Sequence, residues 1–166
     1  MYDVAVIGCG IVGAAAAYEL SRYNCRVLVL EAKNDVANVT TKANSAILHA
    51  GYDPTPGTLM AETNVRGVAL AKELCEKLDV EREEIGSLVL AFGEEDERHL
   101  EKLYQQGLAN GVPGIELLTA DEVHALEPNV SDKVTAALYA PTAAIVSPWE
   151  YALALAETAV VNGCEL

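Results

Sequence analysis

The stretch Tyr2–Glu31, YDVAVIGCGIVGAAAAYELSRYNCRVLVLE, decides the fold of this chain. An apolar run, Val4–Ile7, is followed by GCGIVG at positions 8–13, which has the G-x-G-x-x-G spacing, and then by an alanine-rich segment of high helical propensity. A second apolar run, Arg26–Leu30, ends at Glu31. This order of strand, glycine turn, helix, strand and acid predicts the βαβ unit of a Rossmann-like, dinucleotide-binding fold.

Each part of this unit has a physical task. Gly8 allows a sharp turn off the first strand, Gly10 lets backbone approach a pyrophosphate, and Gly13 lets the helix pack closely on the sheet. The helix N-terminus presents free N–H groups to the phosphates. Glu31 can accept hydrogen bonds from ribose hydroxyls, and its charge disfavours the 2′-phosphate of NADP. The alternative is a glycine turn in an ordinary βαβ unit that binds no ligand.

The composition excludes several classes of function. The chain has 166 residues, of which 51% are apolar, enough for one domain with a core. No run approaches the ~18 apolar residues of a membrane span, and the N-terminus lacks the basic region of a signal peptide. With 25 acidic and 11 basic residues, the formal net charge is −14. This charge argues against binding to nucleic acid or anionic lipid.

The cysteines and histidines suggest neither a disulfide framework nor a metal site. Four cysteines are scattered without a C-x-x-C pair: Cys9, Cys25, Cys75 and Cys164. This pattern is typical of reduced thiols in a cytoplasmic protein. The three histidines are equally dispersed: His49, His99 and His124. We expect no bound metal, and we expect His99 and His124 to be surface residues on helices.

After Glu31, periodicity and capping signals predict alternating helices and strands. Helices are predicted over 58–78 and 94–110, after a Thr119–Glu122 capping box, and from Pro148 to about Val161 behind a Ser147 cap. Strands are predicted over 86–92, 115–118 and 134–139, and the small residues at 141–147 predict a loop. Asn24 is expected at a helix C′ position with positive φ.

The last three residues, CEL at 164–166, read as the start of a further strand. Because domains seldom end within an element, we expect the chain to be the N-terminal piece of a longer protein. The alternative is a complete small domain with a short edge strand.

A second stretch, TTKANSAILHAGYDPTPGTLMAETNVRG at 40–67, makes the interpretation more specific. With the GCGIVG turn and the segment 126–163, it resembles the FAD-dependent oxidoreductases of the D-amino-acid oxidase/glycerol-3-phosphate dehydrogenase superfamily. Within that superfamily, the chain is most similar to the bacterial anaerobic-type glycerol-3-phosphate dehydrogenase large subunits. L-2-hydroxyglutarate oxidases share much of the pattern. The resemblance covers essentially the whole chain, and its most specific parts are ANSxxxHAGY and PGTxxAxxNVRG.

The resemblance implies an α/β fold, in which a Rossmann-like FAD-binding core is joined to part of a substrate-side α+β region. The implied divisions are 1–77 for the first part of the core, 78–140 for the partial substrate-side region, and 141–166 for the return to the core. The later strands and the second glycine-rich segment of the superfamily are absent, so we expect this piece alone to be inactive. Ala46 and Ala144 stand where relatives often carry glycine.

The resemblance also implies FAD as the cofactor. The implied FAD-binding residues are Gly8, Gly10, Ile11, Val12, Gly13, Glu31, Ala32, Lys33, Thr40, Thr41, Asn44 and Ser45. The glycines would face the pyrophosphate and Glu31 the adenosine ribose, while the segment 40–45 would follow the phosphate, ribityl chain and flavin ring. Small and hydroxyl-bearing residues suit a crowded polar cofactor. The alternative for this segment is an ordinary loop that caps a helix.

His49 is the implied catalytic residue, because the resemblance places it near the isoalloxazine. A neutral imidazole there could accept a hydroxyl proton while the substrate carbon gives hydride to the flavin. The alternatives are contact with cofactor or substrate, covalent attachment of the flavin as in some relatives, and a purely structural role.

By resemblance, the parent enzyme oxidises sn-glycerol 3-phosphate to dihydroxyacetone phosphate and passes electrons to another protein or acceptor. The alternatives are an L-2-hydroxyglutarate, amino-acid or amine oxidase of the same superfamily, and a non-catalytic nucleotide-binding module. An NAD-linked dehydrogenase is disfavoured, since NAD folds usually proceed directly to the next βα unit without a stretch like 40–57. We expect the parent in the cytoplasm or peripherally at the inner face of the cell membrane.

Overall fold

The computed structural model describes residues 1–166, which form two compact units: 1–46, 74–82 and 146–166 in the first, and 47–73 and 83–145 in the second. In chain order the elements are β1 (Val4–Ile7), α1 (Ile11–Leu20), β2 (Val27–Leu30), β3 (Ile47–Leu48), α2 (Leu59–Leu78), β4 (Arg82–Glu83), β5 (Ser87–Ala91), α3 (Glu94–Asn110), β6 (Glu116–Thr119), α4 (Ala120–Leu126), β7 (Ala136–Ala140), β8 (Ala144–Val146) and α5 (Pro148–Val161). None of the helices combines the length and the apolar character that a membrane crossing requires.

The first unit contains the predicted βαβ arrangement. Strands β1 and β2 are parallel, with Val4 opposite Val27 and Ile7 opposite Leu30. Glu165 forms a parallel bridge to Leu28 on the other edge of β2, donating its N–H to the Val27 carbonyl at 3.0 Å. The further strand predicted for the last residues is therefore present only as this single bridge. The chain has the Rossmann-like core expected from its first thirty residues.

Small residues form much of the core of the first unit. Ala14 and Ala17 of α1 pack with Ala156 and Ala159 of α5, and all four are almost fully buried. Side chains this small allow helix backbones to approach closely. Helix α5 begins as predicted, because the Ser147 hydroxyl accepts the N–H of Glu150, the third helical residue, and proline occupies the first helical position.

The second unit is built on an antiparallel sheet of order β5-β7-β6. Helix α3 covers it with an apolar face that includes Leu100 and Leu103, and ends at Gly111, whose φ of 77° provides the predicted stop. The Thr119–Glu122 capping box at the start of α4 is confirmed by reciprocal hydrogen bonds. This mixture of antiparallel strands and helices agrees with the expected α+β region.

Two local predictions are wrong. The segment 141–147 is not all loop, because it contains β8, which pairs antiparallel with β3 through Ile47–Ile145 and Leu48–Ala144. This pairing spans nearly a hundred residues of chain and leaves no local signal. Asn24 does not have positive φ, because α1 already ends at Leu20 and its C-cap, Ser21, stays in the right-handed region.

The two compact units divide the chain at other residues than the predicted functional divisions at 77/78 and 140/141, which stay predictions. Residues 47–73 belong to the second unit, since Ala50, Tyr52 and Val65 pack in the core formed with α3 and β7. Residues 74–82 belong to the first unit, where Leu74 and Leu78 pack against its core.

Candidate functional site

The glycine turn after β1 requires glycine at two positions for different reasons. Gly8 has a φ of 91°, which L-residues with a side chain rarely adopt, and its N–H donates to the Leu30 carbonyl at 2.7 Å. At Gly13, a Cβ would lie 1.9 Å from the Gly8 carbonyl oxygen. The first glycine therefore makes the turn, and the third allows α1 to begin in direct contact with that turn.

The N-terminus of α1 has backbone donors available for an anion. Its N-cap is Gly10, which has no side chain to cap the helix. The Ile11 N–H donates to the Thr41 hydroxyl at 3.0 Å, whereas the N–H groups of Val12 and Gly13 have no protein acceptor. Free N–H groups at the positive end of the helix dipole form a ready anion-binding site.

An open groove of about 530 Å³ lies along this turn and helix start. It is lined by Val6, Ile7, Gly8, Gly10, Ile11, Val12, Gly13, Ala16, Thr40, Thr41 and Asn44. Eight of the twelve predicted cofactor-binding residues are therefore on one surface. A Cβ at Gly10 would come within 3.0 Å of the Thr41 hydroxyl oxygen, so the absence of a side chain keeps the groove open.

Glu31 is held as a carboxylate at the end of β2. Its Oε2 accepts the Cys9 N–H at 2.7 Å and its Oε1 accepts the Lys33 N–H at 2.8 Å. The Cys9 hydrogen bond, followed by that of Lys33, lowers the pKa of the Glu31 carboxyl group. An ionised carboxylate with free lone pairs can accept hydrogen bonds from vicinal hydroxyls of a ribose.

A second groove, of about 290 Å³, lies beside this carboxylate. Its lining residues are Glu31, Lys33, Asn34, Asp35, Val36 and Leu166. Of the other predicted residues, Ala32 and Ser45 line neither groove.

The Cys9 thiol is buried next to the Glu31 carboxylate. Burial raises the pKa of this thiol, so it remains a protonated packing group.

The segment after the Thr40–Lys42 turn is shaped by Asn44. Its Nδ2 donates to the Thr41 carbonyl at 2.7 Å, and its Oδ1 accepts the Ala46 N–H at 2.8 Å. Ala46 has a φ of 62°, in the left-handed region, whereas Ala144 does not have positive φ. Of the two positions where relatives often carry glycine, only Ala46 is conformationally strained.

His49 lies in the second unit, where it lines a cavity of about 420 Å³. The remaining lining residues are Gly51, Tyr52, Asp53, Pro54, Met60, Asn64, Val89, His99 and Leu103. His99 is exposed on α3, as expected, but it shares this cavity with His49, which the sequence spacing did not indicate. The structure contains no cluster of side chains suited to a metal ion.

Sequence reasoning also missed three amide side chains that bond to the segment carrying His49. Asn64 on α2, and Gln106 and Asn110 on α3, donate to backbone carbonyls of the segment 49–54. In the sequence, Asn110 indicates only the end of a helix, and no local pattern connects it to His49.

The groove and the carboxylate together suit a dinucleotide. Free backbone N–H groups face one part of the surface, and a charged hydrogen-bond acceptor lies at the end of the neighbouring strand. Gly8, Gly10 and Gly13 line this part of the groove without side chains of their own. The residues present therefore fit the pyrophosphate and the adenosine ribose of FAD.

Comparisons with known proteins agree with this arrangement. The chain is 51% identical over all 166 residues to a glycerol 3-phosphate dehydrogenase from Caloramator mitchellensis, and covers 35% of that protein. It is 34% identical over 149 residues to the mitochondrial L-2-hydroxyglutarate dehydrogenase of Dictyostelium discoideum, with 88% of the chain and 33% of the relative covered. The chain thus spans about a third of the length of these two relatives.

A solved structure is similar over nearly the whole chain. The dithionite-reduced L-α-glycerophosphate oxidase from Mycoplasma pneumoniae, with FAD bound, superposes with a TM-score of 0.91 at 33% identity, covering 99% of this chain and 44% of that one. The family model described as "FAD dependent oxidoreductase" matches residues 3–166. The chain belongs to this family of FAD-dependent oxidoreductases, the DAO family.

Proposed function

We propose that the full-length protein is an FAD-dependent dehydrogenase that oxidises sn-glycerol 3-phosphate to dihydroxyacetone phosphate. The observation that carries this proposal is the 51% identity to the Caloramator mitchellensis glycerol 3-phosphate dehydrogenase over every residue of this chain. The structural similarity to a glycerophosphate oxidase supports the same substrate.

In the proposed complex, the first unit binds the nucleotide part of FAD. The N–H groups of Val12 and Gly13 donate to the pyrophosphate, and Glu31 accepts from the adenosine ribose. The segment Thr40–Ser45 follows the rest of the cofactor, with hydroxyl groups as donors, since the Asn44 amide already donates to the Thr40 and Thr41 carbonyls. The free N–H groups, the depressed pKa of the Glu31 carboxyl and the open groove support these roles.

The proposed role of His49 is to accept the proton of the substrate hydroxyl. When bound, FAD supplies the acceptor for the hydride that leaves the same substrate carbon. The imidazole takes the proton as the C–O bond becomes a carbonyl, which prevents charge from building up on the alkoxide. Support comes from the position of His49 at an open cavity of about 420 Å³ in the second unit.

Two further proposals concern the surroundings of the enzyme. Electrons pass from the reduced protein to a separate acceptor, and the protein works in the cytoplasm or at the inner face of the cell membrane. The four cysteines are all free, which is typical of a reducing compartment.

The test is anaerobic mixing of the FAD-loaded full-length protein with sn-glycerol 3-phosphate, followed through the visible flavin absorbance. We expect rapid bleaching and formation of dihydroxyacetone phosphate. His49→Asn should retain bound FAD but slow bleaching by about 10²–10⁴-fold, the range of general base catalysis. A protein that keeps FAD and is not bleached by glycerol 3-phosphate would overturn the proposed substrate.

A second candidate substrate is L-2-hydroxyglutarate. It is favoured by the 34% identity to the Dictyostelium discoideum dehydrogenase over 88% of this chain. The same mixing experiment separates the two, since the true substrate should bleach the flavin at a much lower concentration than the other compound.

A further inference from the structure

The backbone segment 49–54 carries His49 and passes between helices α2 and α3 in the second unit. It has no regular secondary structure, so strand or helix partners do not satisfy its carbonyl groups. A buried or half-buried carbonyl needs a donor from elsewhere in the protein. In this segment the donors are side chains.

Three amide side chains supply these donors. Asn64 Nδ2 donates to the His49 carbonyl at 2.6 Å. Asn110 Nδ2 donates to the carbonyls of Gly51 at 2.9 Å and Pro54 at 2.7 Å. Gln106 Nε2 donates to the Asp53 carbonyl at 3.1 Å and more weakly to that of Tyr52 at 3.4 Å.

These contacts also fix how each amide is oriented. A backbone carbonyl only accepts hydrogen bonds, so the NH₂ end of each amide must face the segment. Asn110 uses both of its N–H groups on two carbonyls three residues apart. The segment is thus tied at five of its six carbonyls: all those from 49 to 54 except Ala50.

Helices α2 and α3 also pack closely against the segment 49–54. A Cβ at Gly107, between the two donors on α3, would lie 3.1 Å from the Tyr52 Cβ and 2.4 Å from the Ile115 side chain. At Gly51, whose φ is 106°, a Cβ would lie 2.6 Å from the Val65 side chain of α2. Both glycines therefore let the segment lie directly against the helices.

We propose that Asn64, Gln106 and Asn110 form an amide clamp that positions His49 for proton transfer, and that Asn110 is its principal member. The inference rests on the role given to His49 under the proposed function. The clamp residues do not themselves react. They hold the backbone that determines where the imidazole lies, and a displacement of about 1 Å at a reacting group can cost about 10²-fold in rate.

The experiment compares Asn110→Ala and Asn110→Asp with Gln105→Ala in the FAD-loaded full-length protein. Gln105 is the matched control, because it is an exposed amide on the same helix whose Nε2 donates to Glu101 instead of to the segment. The aspartate variant keeps the shape of asparagine but cannot donate, so it separates hydrogen bonding from packing.

Two readouts are measured. Anaerobic flavin reduction gives the limiting rate and the substrate concentration for half-saturation, and hydrogen–deuterium exchange by mass spectrometry reports opening of the segment 49–54. We expect both Asn110 variants to reduce flavin about 10–100-fold more slowly, with half-saturation and FAD content little changed. Exchange in 49–54 should be faster in both, and Gln105→Ala should match the wild-type protein in each measurement.

The outcomes separate this inference from the proposed function. Unchanged exchange in 49–54, or unchanged flavin reduction in Asn110→Asp, would overturn the clamp while leaving the role of His49 intact. Wild-type flavin reduction in His49→Asn would overturn the role of His49 itself, and with it the positioning function of the clamp. A loss of FAD from Asn110→Asp equal to its loss of rate would show a general structural role and would also overturn the proposal.

Discussion

Replacing Gly13 with alanine should destabilise the chain, even though alanine is the better helix former. The new Cβ would lie 1.9 Å from the Gly8 carbonyl oxygen and 3.0 Å from the Gly8 carbonyl carbon. Both of these are backbone atoms in the turn after β1, so no side-chain rotation can relieve the contact. Since non-bonded atoms are best accommodated about 3.5–4.0 Å apart, the start of α1 must move away from β1 by about 1 Å or more.

The magnitude follows from two opposing effects. Overpacking of this kind costs about 1–3 kcal/mol, and more when the obstructing atoms cannot move. Removing glycine from a helix interior returns about 1 kcal/mol. The movement also disturbs the contacts of Ala14 and Ala17, which are almost fully buried. We expect a net loss of about 1–2 kcal/mol in the free energy of unfolding.

Gly67→Ala is the matched control, because Gly67 also lies within a helix, α2, but its Cβ would meet no atom within 4 Å. This variant should have a free energy of unfolding about 1 kcal/mol higher than that of the wild-type chain, because alanine is the better helix former. The two identical substitutions therefore have effects of opposite sign. Urea unfolding followed by circular dichroism should move the midpoint down for Gly13→Ala and up for Gly67→Ala, with a similar slope for both.

The same pair of variants tests the cofactor site. Gly13→Ala displaces the N–H groups that face the groove, so FAD affinity of the full-length protein should fall at least about tenfold, equivalent to 1.4 kcal/mol. Gly67→Ala should leave it unchanged. If Gly13→Ala were as stable as the wild-type chain and bound FAD equally well, the close approach of α1 to Gly8 would not limit either property, and the reasoning would be refuted.

Four further substitutions test separate parts of the chain. Ala46→Gly should raise the free energy of unfolding by about 1 kcal/mol, because glycine relieves the left-handed φ of 62°. Ala144→Gly, in strand β8, should instead lower the free energy of unfolding by about 0.5–1 kcal/mol, measured by thermal unfolding. Ser147→Ala removes the N-cap of α5 and should cost about 1 kcal/mol in urea unfolding. The hydrogen bond from the Cys9 N–H is the largest cause of the lowered pKa of the Glu31 carboxyl group. The Glu31 carboxylate therefore stabilises the folded chain at pH values above its unfolded-state pKa. This contribution is lost as the pH falls through the lower pKa of the folded state. Between neutral and acidic pH, the free energy of unfolding should therefore fall less for Glu31→Gln than for the wild-type chain.

The parts of the fold that the sequence predicts are those determined by neighbouring residues. The glycine spacing at 8–13, the amphipathic pattern of α3 and the Thr119 capping box each act over a few residues, and all three occur as expected. Strand β8 was missed because its partner, β3, lies far away in the chain and both strands are very short. Short pairings of this kind depend on tertiary contacts that periodicity does not contain.

Backbone conformation can likewise be determined by tertiary contacts instead of by neighbouring residues. Ala37 has a φ of 55° although nothing in its neighbourhood signals a turn that needs glycine. Its side chain is buried and its N–H donates to the Cys9 carbonyl at 2.9 Å, so contacts with the glycine turn hold it in this conformation. Tertiary structure has overridden the local preference of alanine, which is frequent near functional sites.

The two parts of the candidate site differ in how they depend on the sequence. The groups that face the groove are backbone N–H groups of Val12 and Gly13, so their chemistry survives any side-chain change that leaves the turn intact. The segment that carries His49 is the opposite case, because its carbonyls are held by side chains from α2 and α3. A single change at Asn110, sixty-one residues from His49, removes two of those hydrogen bonds. The donors for the phosphates are therefore encoded by a short motif, whereas the geometry around the histidine depends on residues that no short motif contains. It follows that relatives sharing GCGIVG can still differ in reaction rate or substrate when their residues equivalent to the amide clamp differ.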